Sequence, residues 1–311
     1  MDRLDGAARH ASDAPARAQL SSEPDHLPQH LWWLLAALTL AWGFNWTAMK
    51  IALDGVSPWT FRTLCLGLGS AVLFLVLKAS GHSLAVPRGQ RIRLAVLAFF
   101  NITCWNLLVA FGMTMIPSGR AAILAYTMPV WAVPLSVWVL GERLTARKLL
   151  GLILGMAGLA LLVGDAFSSP GTLLVLGAAI SWAIGTVLQK RYPMSMPSGA
   201  YTAWIMLLGG VPIFAGALLF DEIGALSGVG WRPALGIAYN VLVAFAFAHW
   251  AWIKIATAVP VTVFSISMLI IPVVGVLSGM LFLGERPRWY EYAALALILC
   301  ALATVVRPQT R

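Results

Sequence analysis

Residues 118–143 read SGRAAILAYTMPVWAVPLSVWVLGER, and residues 261–286, which lie 143 positions further along the chain, read VTVFSISMLIIPVVGVLSGMLFLGER. Each stretch is a long apolar run with a proline near its middle, Pro129 or Pro272, and each ends in the tetrapeptide LGER. The prolines that precede the two runs keep the same offset. Three landmarks with one spacing indicate that the chain is an internal duplication.

The duplicated unit extends to the start of each half. Trp42 and Lys50 correspond to Trp182 and Lys190 at an offset of 140, so the register shifts by only three residues across the unit. Each unit then holds five apolar runs. Because five is odd, the second copy enters a membrane from the opposite side, which predicts two inverted repeats related by an axis in the membrane plane.

The composition requires that these runs face lipid. Of 311 residues, 60% are hydrophobic and only 11% are charged, against about 25% charged in soluble domains. So few charges cannot give a core of this size a polar surface. The runs have roughly the 20 residues that a membrane-spanning helix needs, and they do not alternate as barrel strands do. The predicted fold is all-α and polytopic, with ten transmembrane helices as two inverted five-helix repeats.

The predicted organisation is a disordered cytoplasmic tail at residues 1–28, a first repeat at 29–166 and a second repeat at 167–311. The tail is polar and lacks hydrophobic periodicity, so it cannot offset the entropy of ordering. With the N-terminus inside, most of the 21 Lys and Arg residues fall on the cytoplasmic side. The positive-inside rule therefore predicts a multi-pass membrane protein with both termini in the cytoplasm. The excess of arginine over lysine is typical of a bacterial protein, for which this membrane would be the inner one.

Several function classes are disfavoured. The net charge of +9 is scattered between apolar runs rather than clustered on one face, so no nucleic-acid partner is predicted. The three cysteines stand alone in apolar stretches, which indicates no disulfide, metal site or cofactor. His249 is the one histidine inside a run, and no metal-protease motif or carboxylate pair is present, so no catalytic residue is assigned. The expected partners are a small solute and the lipid bilayer, in a monomer or weak homodimer.

The ten runs, the stretch AWGFNW at residues 41–46, the mid-run prolines and the paired LGER tails resemble the EamA-type carriers of the drug/metabolite transporter superfamily. The resemblance covers residues 31–306, and within that family the chain is similar to YddG-type aromatic amino-acid exporters. It implies that helices 1–4 and 6–9 surround a central cavity, with helices 5 and 10 as outer supports.

Polar residues inside the runs are candidate substrate contacts because they are costly in lipid. Aromatic residues that lie too deep in a run for the belt at the membrane interface are candidates as well. Trp42 and Trp46 are i,i+4 neighbours beside Asn45, which predicts a wall that can stack on an apolar solute. The offset of 143 predicts equivalent depths for Asn106 and His249. The predicted substrate-binding residues are Trp42, Asn45, Trp46, Asn101, Trp105, Asn106, Tyr126, Trp182, Trp204, Asn240, His249 and Ser265.

Each of these residues also has a plain structural interpretation. A single intramembrane tryptophan or histidine commonly serves helix packing. Pro129 and Pro272 are predicted hinges, with a static bend as the equal alternative. Lys50 and Lys190 end their runs, where long side chains usually reach the membrane interface. For Glu142 and Glu285, pairing with a neighbouring arginine is a sufficient explanation.

No Asp or Glu falls near the middle of any run. A mid-membrane carboxylate is the usual group for holding a lipophilic cation and exchanging it for protons. The sequence therefore favours a carrier that exports small neutral or zwitterionic metabolites, with amino acids first, by alternating access. A multidrug or cation effluxer of the same fold remains the alternative, followed by an intramembrane enzyme. Proton coupling, if present, would have to use His249.

Overall fold

The chain folds into helices throughout the part that the computed structural model describes, residues 28–163, 169–221, 228–256 and 261–306. Within these ranges the helices form ten segments that match the ten predicted runs. Six of them are long and apolar enough to span a membrane, and two shorter apolar helices lie in the last two segments. The chain is therefore a helical, polytopic membrane protein, while the count of ten spans stays a prediction. The predicted tail, apart from residue 28, lies outside the described residues.

The segments are numbered α1 to α10 in chain order, and α3 and α8 each consist of three consecutive helical pieces. Their bounds are Gln29–Leu53 (α1), Pro58–Ala79 (α2), Arg91–Ala98, Phe99–Cys104 and Trp105–Met115 (α3), Ser118–Leu140 (α4), Ala146–Val163 (α5), Pro170–Arg191 (α6), Ser198–Phe220 (α7), Trp231–Ala238, Tyr239–Phe247 and Ala248–Ala256 (α8), Val261–Leu283 (α9) and Trp289–Val306 (α10).

Helices α4 and α9 end in the same way, which explains the repeated tetrapeptide. Gly141 and Gly284 both have a φ of +67°, a left-handed conformation that glycine adopts without steric cost. The N–H groups of Glu142 and Glu285 then bond to carbonyls six residues earlier, at 3.4 and 3.2 Å. This is a glycine-terminated helix end, and it gives the two glutamates the same starting geometry.

Helices α3 and α8 carry wide π-type turns at equivalent positions, Phe99–Cys104 and Tyr239–Phe247. Such turns are rare and occur mostly at functional sites, because they break the regular hydrogen-bond ladder. Asn101 and Asn240, both predicted substrate contacts, lie within them. The two halves therefore place the same backbone irregularity next to a carboxamide.

The two mid-helix prolines differ. Helix α4 is interrupted at residues 126–127, so Pro129 falls at the start of a second helical piece, where its missing N–H costs nothing. Pro272 instead lies inside the continuous helix α9. The backbone break therefore belongs to one half of the repeat, and the role of both prolines as hinges stays a prediction.

The two halves interlock, and their packing follows the repeat. Helix α1 packs against α8 and α9, and its counterpart α6 packs against α3 and α4. Helix α2 contacts α7 and α8, while α7 contacts α2 and α3; α5 and α10 pack chiefly against each other. If each helix in these pairs is replaced by its counterpart in the other half, for example α1 by α6, the same set of main packing pairs results. This is the packing expected of two repeats related by a two-fold axis.

Candidate functional site

An aromatic group joins α1 to α8. The Trp42 ring lies edge-on to His249 at 6.1 Å between centroids and packs on Trp252 at 5.6 Å. Its Nε1 donates to the carbonyl of Ala244 at 3.3 Å. The His249 ring stacks on Phe245 at 5.5 Å, and its Nδ1 lies 2.9 Å from the Phe245 carbonyl. Trp42 and His249, both predicted site residues, are thus in direct contact.

A second aromatic group joins α3 to α6 at the equivalent place in the other half. Trp105 and Trp182 pack with their ring centroids 5.0 Å apart, and Trp182 is the counterpart of Trp42. Beside them the Asn101 carboxamide lies directly over Gly185, where a Cβ would come within 1.8 Å of Oδ1. The repeat therefore gives two aromatic walls, one in each half.

Four predicted carboxamides differ in how their polar atoms are used. The Nδ2 groups of Asn106 and Asn240 donate to carbonyls four residues earlier on their own helices, at 2.9 and 3.0 Å. The Oδ1 atoms of Asn45, Asn101 and Asn240 are buried and accept no hydrogen bond from any described residue. A buried acceptor without a donor is costly. These oxygens are suited to bind an ammonium, hydroxyl or water that enters between the halves.

The other predicted residues are spread more widely. Trp204 packs on Phe74 and donates from Nε1 to the Leu84 carbonyl at 2.8 Å, so it lies in the α2–α7 contact, apart from both aromatic groups. Trp46 is buried in the main core with Tyr126 against it. Tyr126 also lines, with Pro129, a cavity of about 10 Å³ between α4, α5 and α10, about enough for one water. The side chain of Ser265 lies outside the described residues.

The bundle has two ends, which we name after their lysines. At the Lys50 end the odd-numbered helices finish, and Glu285 reaches across from the end of α9 to the start of α4. Its carboxylate accepts the backbone N–H groups of Ser118 and Gly119 at 2.6 and 3.0 Å. An anion at a helix N-terminus satisfies otherwise unpaired N–H groups and meets the positive end of the helix dipole. We call this contact between the halves the Glu285 cap.

Lys50 also holds helices together at this end. Its Nζ donates to the carbonyl oxygens of Met113 and Ile116, the latter at 3.0 Å. A cation at the last carbonyls of a helix satisfies orphan acceptors, so the Lys50 side chain ties α1 to the end of α3. The Lys50 end is therefore closed by contacts between helices.

The equivalent residues at the opposite, Lys190 end have different partners. Glu142 accepts from Lys148 at 2.6 Å and from Lys190, and the Lys190 side chain is 68% exposed. The hydrogen bonds from Lys148 and Lys190 lower the pKa of the Glu142 carboxyl to about 2. Residues 139–142 line a surface depression of about 560 Å³ with Lys190 and Arg191. The two equivalent ends therefore differ in the partners of their glutamates.

Three charged residues have structural surroundings that their sequence positions do not specify. The sequence suggested that Glu142 and Glu285 pair with a neighbouring arginine. In the structure Glu142 pairs with two lysines, and Glu285 binds the N-terminus of a helix. Arg62 stands near the start of an apolar run, yet its residue exposure is 2%. For the glutamates, the repeat symmetry was the sequence signal that could have drawn attention to them. For Arg62, the signal was a charged residue four positions inside an apolar run.

The EamA-like transporter family matches the chain twice, over residues 29–164 and 169–307. The two matched segments correspond to the two predicted repeats. The chain is 25% identical to an uncharacterized transporter of Bacillus subtilis, YoaV, over 86% of this chain and 94% of that one. It is also 25% identical to a probable amino-acid metabolite efflux pump of Escherichia coli, over 86% of this chain and 92% of that one.

A solved crystal structure shares the fold. It superposes with a TM-score of 0.63 over 88% of this chain and 96% of its own, at 22% sequence identity. A likeness at this identity concerns the arrangement of helices alone.

Proposed function

Because the chain belongs to the EamA-like transporter family, we propose that it is an exporter of small neutral or zwitterionic metabolites in the bacterial inner membrane. Its chief substrates are amino acids with apolar or aromatic side chains. The chain crosses the membrane ten times with both termini in the cytoplasm, so the Lys190 end faces the cytoplasm and the Lys50 end faces outward.

The observation that carries this proposal is the unequal state of two equivalent ends. Glu285 and Glu142 occupy matching positions, yet Glu285 caps a helix of the other half while Glu142 pairs with lysines beside a surface depression. A carrier that works by alternating access must close one end while the other is open, and inverted repeats supply two arrangements of similar energy. In this proposal the described state is the one in which the outward-facing Lys50 end is closed.

The chemistry of the interior supports the substrate class. The aromatic walls offer apolar faces, and the carboxamide oxygens of Asn45, Asn101 and Asn240 offer acceptors for an ammonium or hydroxyl group. Sites for small solutes combine a mostly apolar lining with a few polar groups that fix orientation. The similarity to the probable amino-acid metabolite efflux pump of Escherichia coli agrees with this class.

The proposal is tested by counterflow in liposomes that contain the purified protein. We expect saturable exchange of labelled phenylalanine. Trp42→Ala and His249→Ala should lower it roughly fivefold, because aromatic contacts of this kind are worth about 1 kcal/mol beyond their area. Trp138→Ala is the matched control, since Trp138 is 83% exposed and its ring faces outward from the bundle. Gel filtration and a thermal melt establish that each variant folds.

Two results would overturn the proposal. Flux of tetraphenylphosphonium without flux of any amino acid would assign the protein to the cation effluxers. Flux that rises linearly with solute concentration would indicate a channel instead of a carrier.

A further inference from the structure

Arg62 is a buried cation without an acidic partner. It lies one turn into α2, and its residue exposure is 2%. Among the described residues no carboxylate lies within ion-pair distance of its guanidinium, and its Nε–H has no acceptor. Removing a charge from water without a counter-charge costs several kcal/mol. Such a cost is unusual in a residue whose role is purely structural.

The groups around Arg62 are weak partners. Its Nη2 donates to the thioether sulfur of Met49 at 2.9 Å, and its guanidinium carbon lies 4.9 Å from the centre of the Phe61 ring. A thioether is a poor acceptor, and an aromatic face offers only a partial charge. Cys65, one turn further along α2, is also fully buried. The fork of N–H groups that a guanidinium presents to a carboxylate is therefore largely unused.

Three of the described acidic residues at the same end already have other partners. Asp221 accepts from the Ser57 and Thr60 hydroxyls and from the Thr60 N–H at the start of α2. Glu285 forms the cap on α4, and Glu291 pairs with Arg120 at 3.7 Å. Lys50 differs from Arg62 because carbonyl oxygens satisfy its ammonium. Arg62 is thus a buried basic group at this end that no described carboxylate neutralises.

The position of Arg62 relative to α1 defines what kind of anion fits. Met49 follows Trp46 by three residues, so the two share one face of α1 at a rise of about 4.5 Å. Helices α1 and α2 pack only loosely against each other, and the Arg62 and Met49 side chains lie between them. A flexible thioether side chain can shift to admit a ligand. A carboxylate at Arg62 would therefore lie one helical turn from the aromatic face of α1.

We propose that Arg62 binds the carboxylate of the transported solute when the Lys50 end opens, with the apolar part of the solute against Trp46. This inference rests on the proposed export function and narrows its substrate class to carboxylates with an apolar or aromatic side chain, amino acids included. The carboxylate accepts from two N–H groups of the guanidinium in place of the Met49 sulfur, in the bidentate geometry typical of this pair. No proton or covalent bond is transferred.

The interior charge agrees with this assignment. Within the described helices, the acidic side chains lie at helix ends or in the turns that follow, while Arg62 is enclosed. A positive interior favours solutes that carry a carboxylate and disfavours those that carry only a positive charge, because the attraction between charges grows as water is excluded.

The test compares an amino acid with an analogue that lacks the carboxylate. Counterflow of labelled phenylalanine is competed by unlabelled phenylalanine, phenylalaninamide or phenethylamine, first in the wild-type protein. We expect phenylalanine to compete at a concentration about ten- to a hundredfold lower than the amide and the amine, since a charge-assisted hydrogen bond contributes on that scale. This comparison requires no variant, so a folding defect cannot obscure it.

Arg62→Met then removes the charge while keeping much of the side-chain volume. We expect the advantage of phenylalanine over the amide to vanish, while the Tm is unchanged or higher because a buried unpaired charge is gone. Arg62→Lys should keep part of the advantage, because a point charge replaces the planar fork. Arg232→Met is the matched control, an exposed arginine in the first turn of α8 at the same end.

Each other outcome has a definite meaning. Equal competition by the acid and the amide in the wild-type protein would overturn the inference while leaving export intact. Equal loss of both solutes in Arg62→Met would assign Arg62 to the conformational change and would also overturn it. Absence of any amino-acid counterflow in the wild-type protein would instead contradict the proposed function.

Discussion

At the scale of single residues, the two glutamates of the LGER copies show how one side chain acquires two roles. Glu142 and Glu285 leave their helices with the same backbone geometry. Glu285 then accepts two backbone N–H groups of another helix, and Glu142 accepts from two lysines. Both carboxylates lie in charge-assisted hydrogen bonds, which are stronger than neutral ones. The difference between them comes from the helices that surround each one.

The lysine pairing of Glu142 gives a prediction about pH. The pKa of its carboxyl is lowered from 4.5 to about 2, so the pairing stabilises the fold fully above pH 4.5 and its contribution is lost as the pH falls toward 2. The pair is partly exposed, which limits that contribution to about 1 kcal/mol. We expect Glu142→Gln to lower the Tm in detergent by a similar amount at pH 8 and pH 6, and by less at pH 3. A difference that grows on acidification would contradict this.

At the scale of helices, the close approach of α3 to α6 depends on a missing side chain. The Asn101 carboxamide occupies the space above Gly185, where even a methyl group would collide with it. The wide π-type turn of α3 around Asn101 accompanies this contact. A glycine in a helix has a cost of about 1 kcal/mol relative to alanine, so at this position packing outweighs helix propensity.

Two glycine variants separate these effects. Gly185→Ala should destabilise the protein by about 1 to 3 kcal/mol, since it overpacks a buried contact. Gly67→Ala in α2 is the matched control, because nothing lies within 4 Å of its Cβ position, and it should be neutral or stabilising by up to about 1 kcal/mol. Thermal melts of both variants in detergent measure the difference. A Gly185→Ala protein as stable as the wild type would mean that Asn101 moves aside freely.

At the scale of the whole molecule, the interlocked halves make the Glu285 cap a contact between the two moving parts of the proposed carrier. The cap joins α4 of the first half to the end of α9 in the second. If the halves rock against each other, this contact has to break when the Lys50 end opens. Cys65, which is buried at that end with 0% exposure, is a natural reporter of the opening.

We therefore expect Glu285→Gln to speed alkylation of Cys65 by a membrane-permeant maleimide. The experiment uses a background in which Cys104 and Cys300 are replaced by serine. A glutamine offers one neutral oxygen in place of two charged ones, so the cap loses a charge-assisted hydrogen bond of about 1.5 kcal/mol. The Lys50 end should then open more often, which corresponds to roughly tenfold faster labelling of Cys65. Glu142→Gln, at the opposite end, is the matched control and should not raise the rate. Equal labelling in all three proteins would show that the cap does not hold this end closed.

The duplication was visible in the sequence because repeated landmarks survive at a constant offset. The LGER copies predict where α4 and α9 end, and the structure gives the reason, a left-handed glycine at Gly141 and at Gly284. The apolar runs predict a helical membrane protein, which is confirmed. Trp42 and His249, which the sequence offered only as separate candidates for the site, are in contact in the structure.

Trp204 and Arg62 show what the hydrophobic pattern of the sequence does not predict. Trp204 was predicted to contact the substrate, yet it packs between α2 and α7, and Arg62 is enclosed beside Met49. Hydrophobic periodicity states which residues share a face of a helix. It does not state how far that helix is rotated or which neighbour the face meets.

The sequence by itself determined that this chain is a duplicated, helical membrane protein, because covalent order and the cost of exposing backbone to lipid leave no other arrangement. Only the tertiary structure decided that Glu285 caps a helix while Glu142 binds lysines. It also decided that no acid in the described part of the chain pairs with Arg62. The reason is that such contacts depend on the relative position of helices far apart in the chain, and two near-identical repeats can pack in unequal ways.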